Sequence, residues 1–263
     1  MKAQAVQMAS MTYEEIAARV GDPTVALVPA GSTEQHGPHL PLDTDTFLCT
    51  EVASAAAARA LPGGPVLVTP PIAVGSSAHH MAFSGTLTLA PGTFGQVVRE
   101  LCASLARHGL RRQILVNGHG GNSSLLAAAV QDIGFEQPIY VVTCDYWKFA
   151  QAVGESLRES PPGGMGHACE FETSLMLHLR PDVVRRDLIR REMPKLRHPS
   201  ESLDLFARSP VTGHWKTHEL SDSGVLGAPD LATEHKGSQL FEACVAGLAG
   251  LIEEIRGVRL PDA

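Results

Sequence analysis

Residues 31–45 read Gly-Ser-Thr-Glu-Gln-His-Gly-Pro-His-Leu-Pro-Leu-Asp-Thr-Asp, so Glu34, His36, His39, Asp43 and Asp45 crowd one stretch stiffened by glycine and proline. Carboxylates and imidazoles held on a rigid, non-helical loop are the donors that bind a divalent transition metal. The stretch follows Val25–Pro29, an apolar run that reads as a buried strand. Loops at strand ends are where α/β scaffolds place function. Glu34 and His36 are two residues apart, so in extended backbone both side chains point the same way. Asp45 has two readings, as a metal carboxylate or as the acidic residue that caps the helix beginning there. His39, between two prolines, and Asp43, at a turn-capping position, rank behind these three.

Two further segments carry the same chemistry. Asn117-Gly118-His119-Gly120-Gly121-Asn122 has neither the GxGxxG spacing of a dinucleotide loop nor the Gly-Lys-Ser/Thr of a phosphate loop. Its glycines let backbone approach a ligand closely, and His119 projecting from such a turn joins Glu34, His36 and Asp45 as a fourth ligand. Gly166–Ser174 contains His167, Cys169, Glu170 and Glu172. The two glutamates point in different directions, and acids in a first helical turn also complement the helix dipole. The chain has no HExxH and no GxSxG, which disfavours zincin and serine-hydrolase chemistry. Cys169 ranks low as a nucleophile.

The elements that must position these residues follow from apolar periodicity. Val25–Pro29, Val66–Thr69, Ile114–Val116 and Ile139–Thr143 read as strands. Asp45–Leu61, Thr93–His108, Ser123–Ile133, Asp145–Arg158, Cys169–Leu179 and Leu231–Arg256 read as helices. Gly163–Gly166 reads as a flexible hinge, and residues 185–225 as an irregular lid or subunit contact. Alternating strands and helices predict one α/β domain over residues 1–263, with a mostly parallel sheet between two helical layers. Functional loops of such sheets leave the C-terminal strand ends. The loops bearing Glu34, His36 and Asp45, then His79, His80 and Ser84, then His119, would therefore converge.

Composition bounds the function. A net charge of −7 and the lack of a basic run argue against nucleic-acid binding. Five dispersed cysteines without a CxxC pair predict buried thiols and a reducing, cytoplasmic setting. No apolar stretch reaches membrane-spanning length, and the N-terminus has no signal pattern.

Taken together, the motifs resemble the creatininase family (creatinine amidohydrolase-like proteins) along nearly the whole chain. Beyond residues 31–45, His80, Phe83, Gly85 and Thr86 match a His-x-x-Phe-x-Gly-Thr element, and Asn117–Asn122 matches the Asn-Gly-His block. His167, Ala168, Glu172, Thr173 and Ser174 match a His-Ala-x-x-x-Glu-Thr-Ser block. Gly224-Val225-Leu226-Gly227, with Ala232, Thr233, Lys236 and Gly237, resembles the C-terminal region. The resemblance implies a hydrolase with two divalent ions, zinc or manganese with iron as a third choice. It implies Glu34, His36, Asp45 and His119 as ligands, with Asp45 bridging.

Creatininase proper carries a glutamate two residues after the Asn-Gly-His histidine, where this chain has Gly121. Glu172 is the expected replacement carboxylate. Gly164-Met165-Gly166 stands where creatininase has a Trp-Asp pair, which argues against creatinine as substrate. His167 is the expected general acid, and His80, Gly120 and Trp147 the expected substrate contacts. The implied substrate is a small cyclic amide or formamide. A lactone or ring hydrolase, a peptidase acting on a small modified peptide, and a non-catalytic metal-binding homologue remain alternatives. The resemblance also implies a homo-oligomer, often a hexamer.

Overall fold

The computed structural model describes residues 6–207 and 209–261. Its elements, in order, are α1 (Tyr13–Ala17), β1 (Val25–Ala30), α2 (Thr44–Ala60), β2 (Val66–Val68), α3 (Pro91–Arg107), β3 (Arg112–Asn117), α4 (Ser123–Glu136), β4 (Tyr140–Asp145), α5 (Gln151–Leu157), β5 (Met165–His167), α6 (Glu170–Leu179), α7 (Thr217–Leu220), β6 (Leu226–Gly227) and α8 (Glu234–Arg256).

β1 to β4 form one parallel sheet in the order β2-β1-β3-β4. The strands are apolar on both sides, as strands covered by helices on both faces must be. Along β1, Val25 and Leu27 enter one core while Ala26, Val28 and Ala30 enter the other. The first core is closed by α2, α6 and α8, and the second by α3 and α4. The predicted three-layer α/β/α arrangement with a parallel central sheet is what the chain adopts.

Helix boundaries follow local chemistry. Pro91 opens α3, where its missing N–H costs nothing. Phe94, Val98, Cys102 and Leu105 then give one buried stripe. Gly109, at φ +86°, takes the left-handed position just past the helix end. Thr233 caps α8 by accepting from the Lys236 N–H. This helix therefore begins at Glu234, three residues after the expected Leu231, which lies in a separate 3-10 turn. The expected helix over Asp145–Arg158 divides into a 3-10 turn (Tyr146–Ala150) and α5, and Asp145 belongs to β4.

Gly163–Gly166 is not a hinge. Met165–His167 is strand β5, paired antiparallel with β6 in a second, two-stranded sheet. Gly166 is required there, because a Cβ would lie 2.7 Å from the Leu226 carbonyl oxygen. Between β5 and α6 the backbone turns through Ala168 at φ +48°, the one non-glycine residue with positive φ among those described.

Sheet order sets the position of the site. The chain passes from β1 to β2 on one side, then to β3 on the other, so a crevice opens between the C-terminal ends of β1 and β3. This is the switch point at which open α/β sheets bind ligands. Ala30 and Asn117, the last residues of the two strands, are register partners. The loops starting at Gly31 and Gly118 thus leave the sheet side by side.

Candidate metal centre

Glu34, His36, Asp45, His119 and Glu172 meet in this crevice, each less than a tenth exposed. Glu34 and His36 come from the extended loop after β1. Asp45 is the second residue of α2; Asp43 occupies the N-cap position, so the Asp45 carboxylate is free of capping duty. His119 follows β3, where the Asn117 side chain accepts from its N–H and donates to its carbonyl. Asn117 is held in turn by Asp145 Oδ1 at 2.7 Å. Glu172 projects from the first turn of α6.

The two Asp45 oxygens face different histidines. Oδ1 lies 3.0 Å from His36 Nε2, and Oδ2 lies 3.2 Å from His119 Nδ1. Glu34 Oε1 is 3.3 Å from His119 Nδ1, and Glu172 Oε1 is 3.8 Å from His36 Nε2. Two half-cages share one carboxylate: Glu34, Asp45 and His119 on one side, and Asp45, His36 and Glu172 on the other.

Both histidines are turned for ligation. His36 Nδ1 donates to the Glu34 carbonyl at 3.2 Å, and His119 Nε2 donates to the Ser76 carbonyl at 3.1 Å. A carbonyl only accepts, so each outer nitrogen carries a hydrogen and each inner nitrogen faces carboxylates. This backbone anchoring is the usual support of a metal-bound imidazole. Among the described residues both Glu34 oxygens and Asp45 Oδ2 are buried with no hydrogen-bond partner, a costly arrangement unless a cation completes it. The donors present fit a pair of divalent ions.

The cage demands positive charge. Three buried carboxylates converge, and among the described residues no lysine or arginine lines the cavity beside them. Burial alone would raise the Glu34 pKa, but the positive charge on His119, with His80 beside it, outweighs burial and holds this carboxyl well below the usual range. Burial opposes charge on His119, yet Glu34 and Asp45 push it up to about 10. His36 is likewise raised, against burial, by Asp45 and Glu172. Without metal, the protons on His36 and His119 are the counter-charge. His167 goes the other way, lowered by burial and by the charge on His36.

The cage forms the floor of a cavity of about 520 Å³. His167 Nε2 donates to the Gln35 carbonyl at 2.7 Å, and its Nδ1 lies 3.6 Å from Glu34 Oε1. His80 Nε2 sits 3.2 Å from the same oxygen, so His80 reaches the cage itself and not only its rim. Gly120 and Trp147, expected to contact substrate, line the cavity, and Gly120 leaves open space where a Cβ would stand. The position of Gly121 admits no side chain, because a Cβ there would collide with the His119 ring and the Ser76 carbonyl. A carboxylate cannot enter from that position without displacing these groups, and Glu172 reaches the cage from the His36 side instead.

Several residues fall elsewhere. His39 lies behind the cage, 2.9 Å from Thr173 Oγ1, and Asp43 pairs with Arg180 at 2.9 Å. Glu170 turns away to Lys236. Ser84 is exposed. Cys169 is fully buried and its thiol is pushed well up, first by burial and then by Glu172, which removes it as a nucleophile. Two participants carried no interpretable signal in the sequence. Gln35, inside the ligand loop, touches His80 and His167. Trp215, from the irregular segment, packs edge-on against His79 at 4.6 Å and forms a cavity wall.

The creatininase family model, described as creatinine amidohydrolase, matches residues 9–252. A mycofactocin precursor peptide peptidase from Mycobacterium ulcerans (strain Agy99) is 36% identical over 234 residues, covering 85% of this chain and 84% of its own. The creatinine amidohydrolase of Pseudomonas putida is 32% identical over 269 residues, covering 95% and 97%. Among solved structures, a manganese creatininase superposes with a TM-score of 0.82 at 32% identity, covering 96% of this chain and 99% of that one.

Proposed function

The chain belongs to the creatininase family, and we propose that it is a divalent-metal-dependent amidohydrolase that opens a C–N bond of a small cyclic amide or formamide. The observation that carries this reading is the Asp45 carboxylate, whose two oxygens face two separate imidazoles within 3.2 Å. In this reading Glu34, Asp45 and His119 would hold one zinc or manganese ion, and Asp45, His36 and Glu172 would hold the other. Such a pair supplies Lewis acidity and a water of lowered pKa.

The protein's own groups do the rest. His167, anchored through Nε2, presents Nδ1 to the cage, takes a proton from the attacking water there and returns it to the leaving nitrogen. Trp147, Leu203, Leu205 and Trp215 wall the cavity, exclude water and orient the substrate. Among the described residues no lysine or arginine lines it.

A second reading is a peptidase acting on a small modified peptide. The cavity volume favours it, since about 520 Å³ exceeds the needs of a single small ring. The relative from M. ulcerans is named for a precursor peptide.

The test is to strip the protein with chelator, restore zinc or manganese, and assay cyclic amides, formamides and end-modified peptides. Metal-restored turnover of an amide or formamide is the expected result. Turnover of peptides alone selects the second reading. No turnover from a protein that holds two ions contradicts both and leaves a non-catalytic homologue.

A further inference from the structure

We propose that Gln35 is a positioning residue that fixes which ring nitrogen of His80 carries the hydrogen, while its own backbone carbonyl does the same for His167. The side-chain amide has only one workable orientation. Its Oε1 accepts from the Gly37 N–H at 2.9 Å, and its Nε2 lies 3.0 Å from the Gly224 carbonyl. Flipping the amide would set donor against donor at Gly37 and acceptor against acceptor at Gly224. Gly224, at φ +84°, is itself moulded to this side chain, because a Cβ there would overlap it.

The hydrogens can then be counted. Nε2 has two, and three acceptor-capable atoms lie within 3.0 Å: Gly224 O, His80 Nδ1 at 2.8 Å and His167 Nε2 at 3.0 Å. The Gly224 carbonyl takes one. His167 Nε2 cannot take the other, because it spends its own hydrogen on the Gln35 carbonyl at 2.7 Å. The second amide hydrogen therefore goes to His80 Nδ1, which must be the bare nitrogen. His80 then carries its hydrogen on Nε2, which lies 3.2 Å from Glu34 Oε1 without the alignment of a hydrogen bond.

Without Gln35 the choice would be open. Thr217 Oγ1 lies 2.8 Å from His80 Nδ1 and 3.0 Å from the His79 carbonyl, and a hydroxyl both donates and accepts. A chain from an Nδ1–H through Thr217 to His79 would satisfy every group. The amide of Gln35 breaks this tie. His80 thereby turns an N–H, and no lone pair, toward Glu34, although it stands among potential ligands. His167 keeps a bare Nδ1 facing the same oxygen. The consequence for bound ions rests on the reading above, whereas the hydrogen positions do not.

The test is long-range ¹H–¹⁵N correlation of the histidine rings in the purified protein, before and after loading with Zn²⁺. In wild type, His80 and His167 should both show a pyrrole-type Nε2 and a pyridine-type Nδ1. In Gln35→Met, the hydrogen of His80 should move to Nδ1 while His167, still held by the backbone carbonyl, is unchanged. Zinc content should persist, with turnover reduced about 10- to 100-fold. In Thr217→Val, His80 should keep the wild-type pattern. This variant and the wild-type spectrum decide the matter should Gln35→Met fail to fold. A wild-type His80 protonated on Nδ1, a Gln35→Met spectrum unchanged at His80, or a shift of His80 in Thr217→Val would overturn the proposal. The predicted spectra from a zinc-loaded protein without hydrolytic activity would instead count against the functional reading alone.

Discussion

Two histidines of the site are assigned opposite duties. Replacing His119 with alanine removes a cage ligand, so metal and activity are expected to disappear together. Replacing His167 with alanine removes the proposed proton carrier, so metal should stay and turnover fall about 10²- to 10⁴-fold. Metal analysis alongside a rate measurement separates them, and near-normal turnover in a metal-loaded His167→Ala protein would take His167 out of the mechanism. Gly121 gives a sharper case. Gly121→Glu places a carboxylate where creatininase proper has one, yet its Cβ has no room beside His119 and Ser76. It is expected to disrupt metal binding and not to rescue Glu172→Gln, as metal content of the single and double variants would show. Most of the cage was legible because its residues are close in sequence or sit in dense motifs. Gln35 was overlooked because a neutral amide between two ligands has no sequence property that tells a hydrogen-bond hub from a spacer.

At the scale of elements, the β5–β6 pair and the segment before β6 hold His167 and Gln35 in place. Glu192 clamps that segment, accepting from the Asp222 N–H, the Ser223 N–H and the hydroxyls of Ser221 and Ser223. Burial works to raise its pKa, but these donors prevail and bring it from the ordinary 4.5 down to about 2. A carboxyl depressed on folding stabilises the protein above its unfolded pKa, and that contribution is lost as pH falls through the folded value. Glu192→Gln should therefore lower the melting temperature at neutral pH. The gap from wild type should hold down to about pH 4.5 and close toward about pH 2, as thermal melts across pH would reveal.

Helix α8 offers a matched pair of substitutions. A Cβ on Gly237 would run into the Ser174 carbonyl of α6, whereas Gly250 has nothing within 4 Å. Gly237→Ala should cost about 1–3 kcal/mol by overpacking, and Gly250→Ala should add about 0.5–1 kcal/mol by helix propensity. Denaturant unfolding measures both. The long periodic elements are readable from the sequence, whereas β5 reads locally as a hinge. Its glycines carry a local signal of flexibility, while the pairing that orders them comes from Gly227, some sixty residues away. The segment 185–225 hid Trp215 for the same reason: its order derives from tertiary contacts and not from local periodicity.

Over the whole molecule, the parallel sheet brings two loops distant in sequence to one crevice, where the fold concentrates negative charge. Among the described residues no helix is long and apolar enough to cross a membrane. Metal loading must displace the protons held by His36 and His119, the latter pushed up to about 10. Affinity for zinc should consequently strengthen from about pH 6 to about pH 8, with protons released on binding. Calorimetry in buffers of differing ionisation enthalpy detects that release, and binding without it would contradict the charge balance described for the cage. We further expect a homo-oligomer, with a hexamer the size to look for by light scattering.

The central claim is that Asp45 is shared between two ions. Anomalous diffraction from crystals of the zinc-loaded protein tests it directly. Two peaks are expected, one on each side of the Asp45 carboxylate, the first against Glu34 and His119 and the second against His36 and Glu172. A single peak, or a second peak that does not touch Asp45, would contradict it.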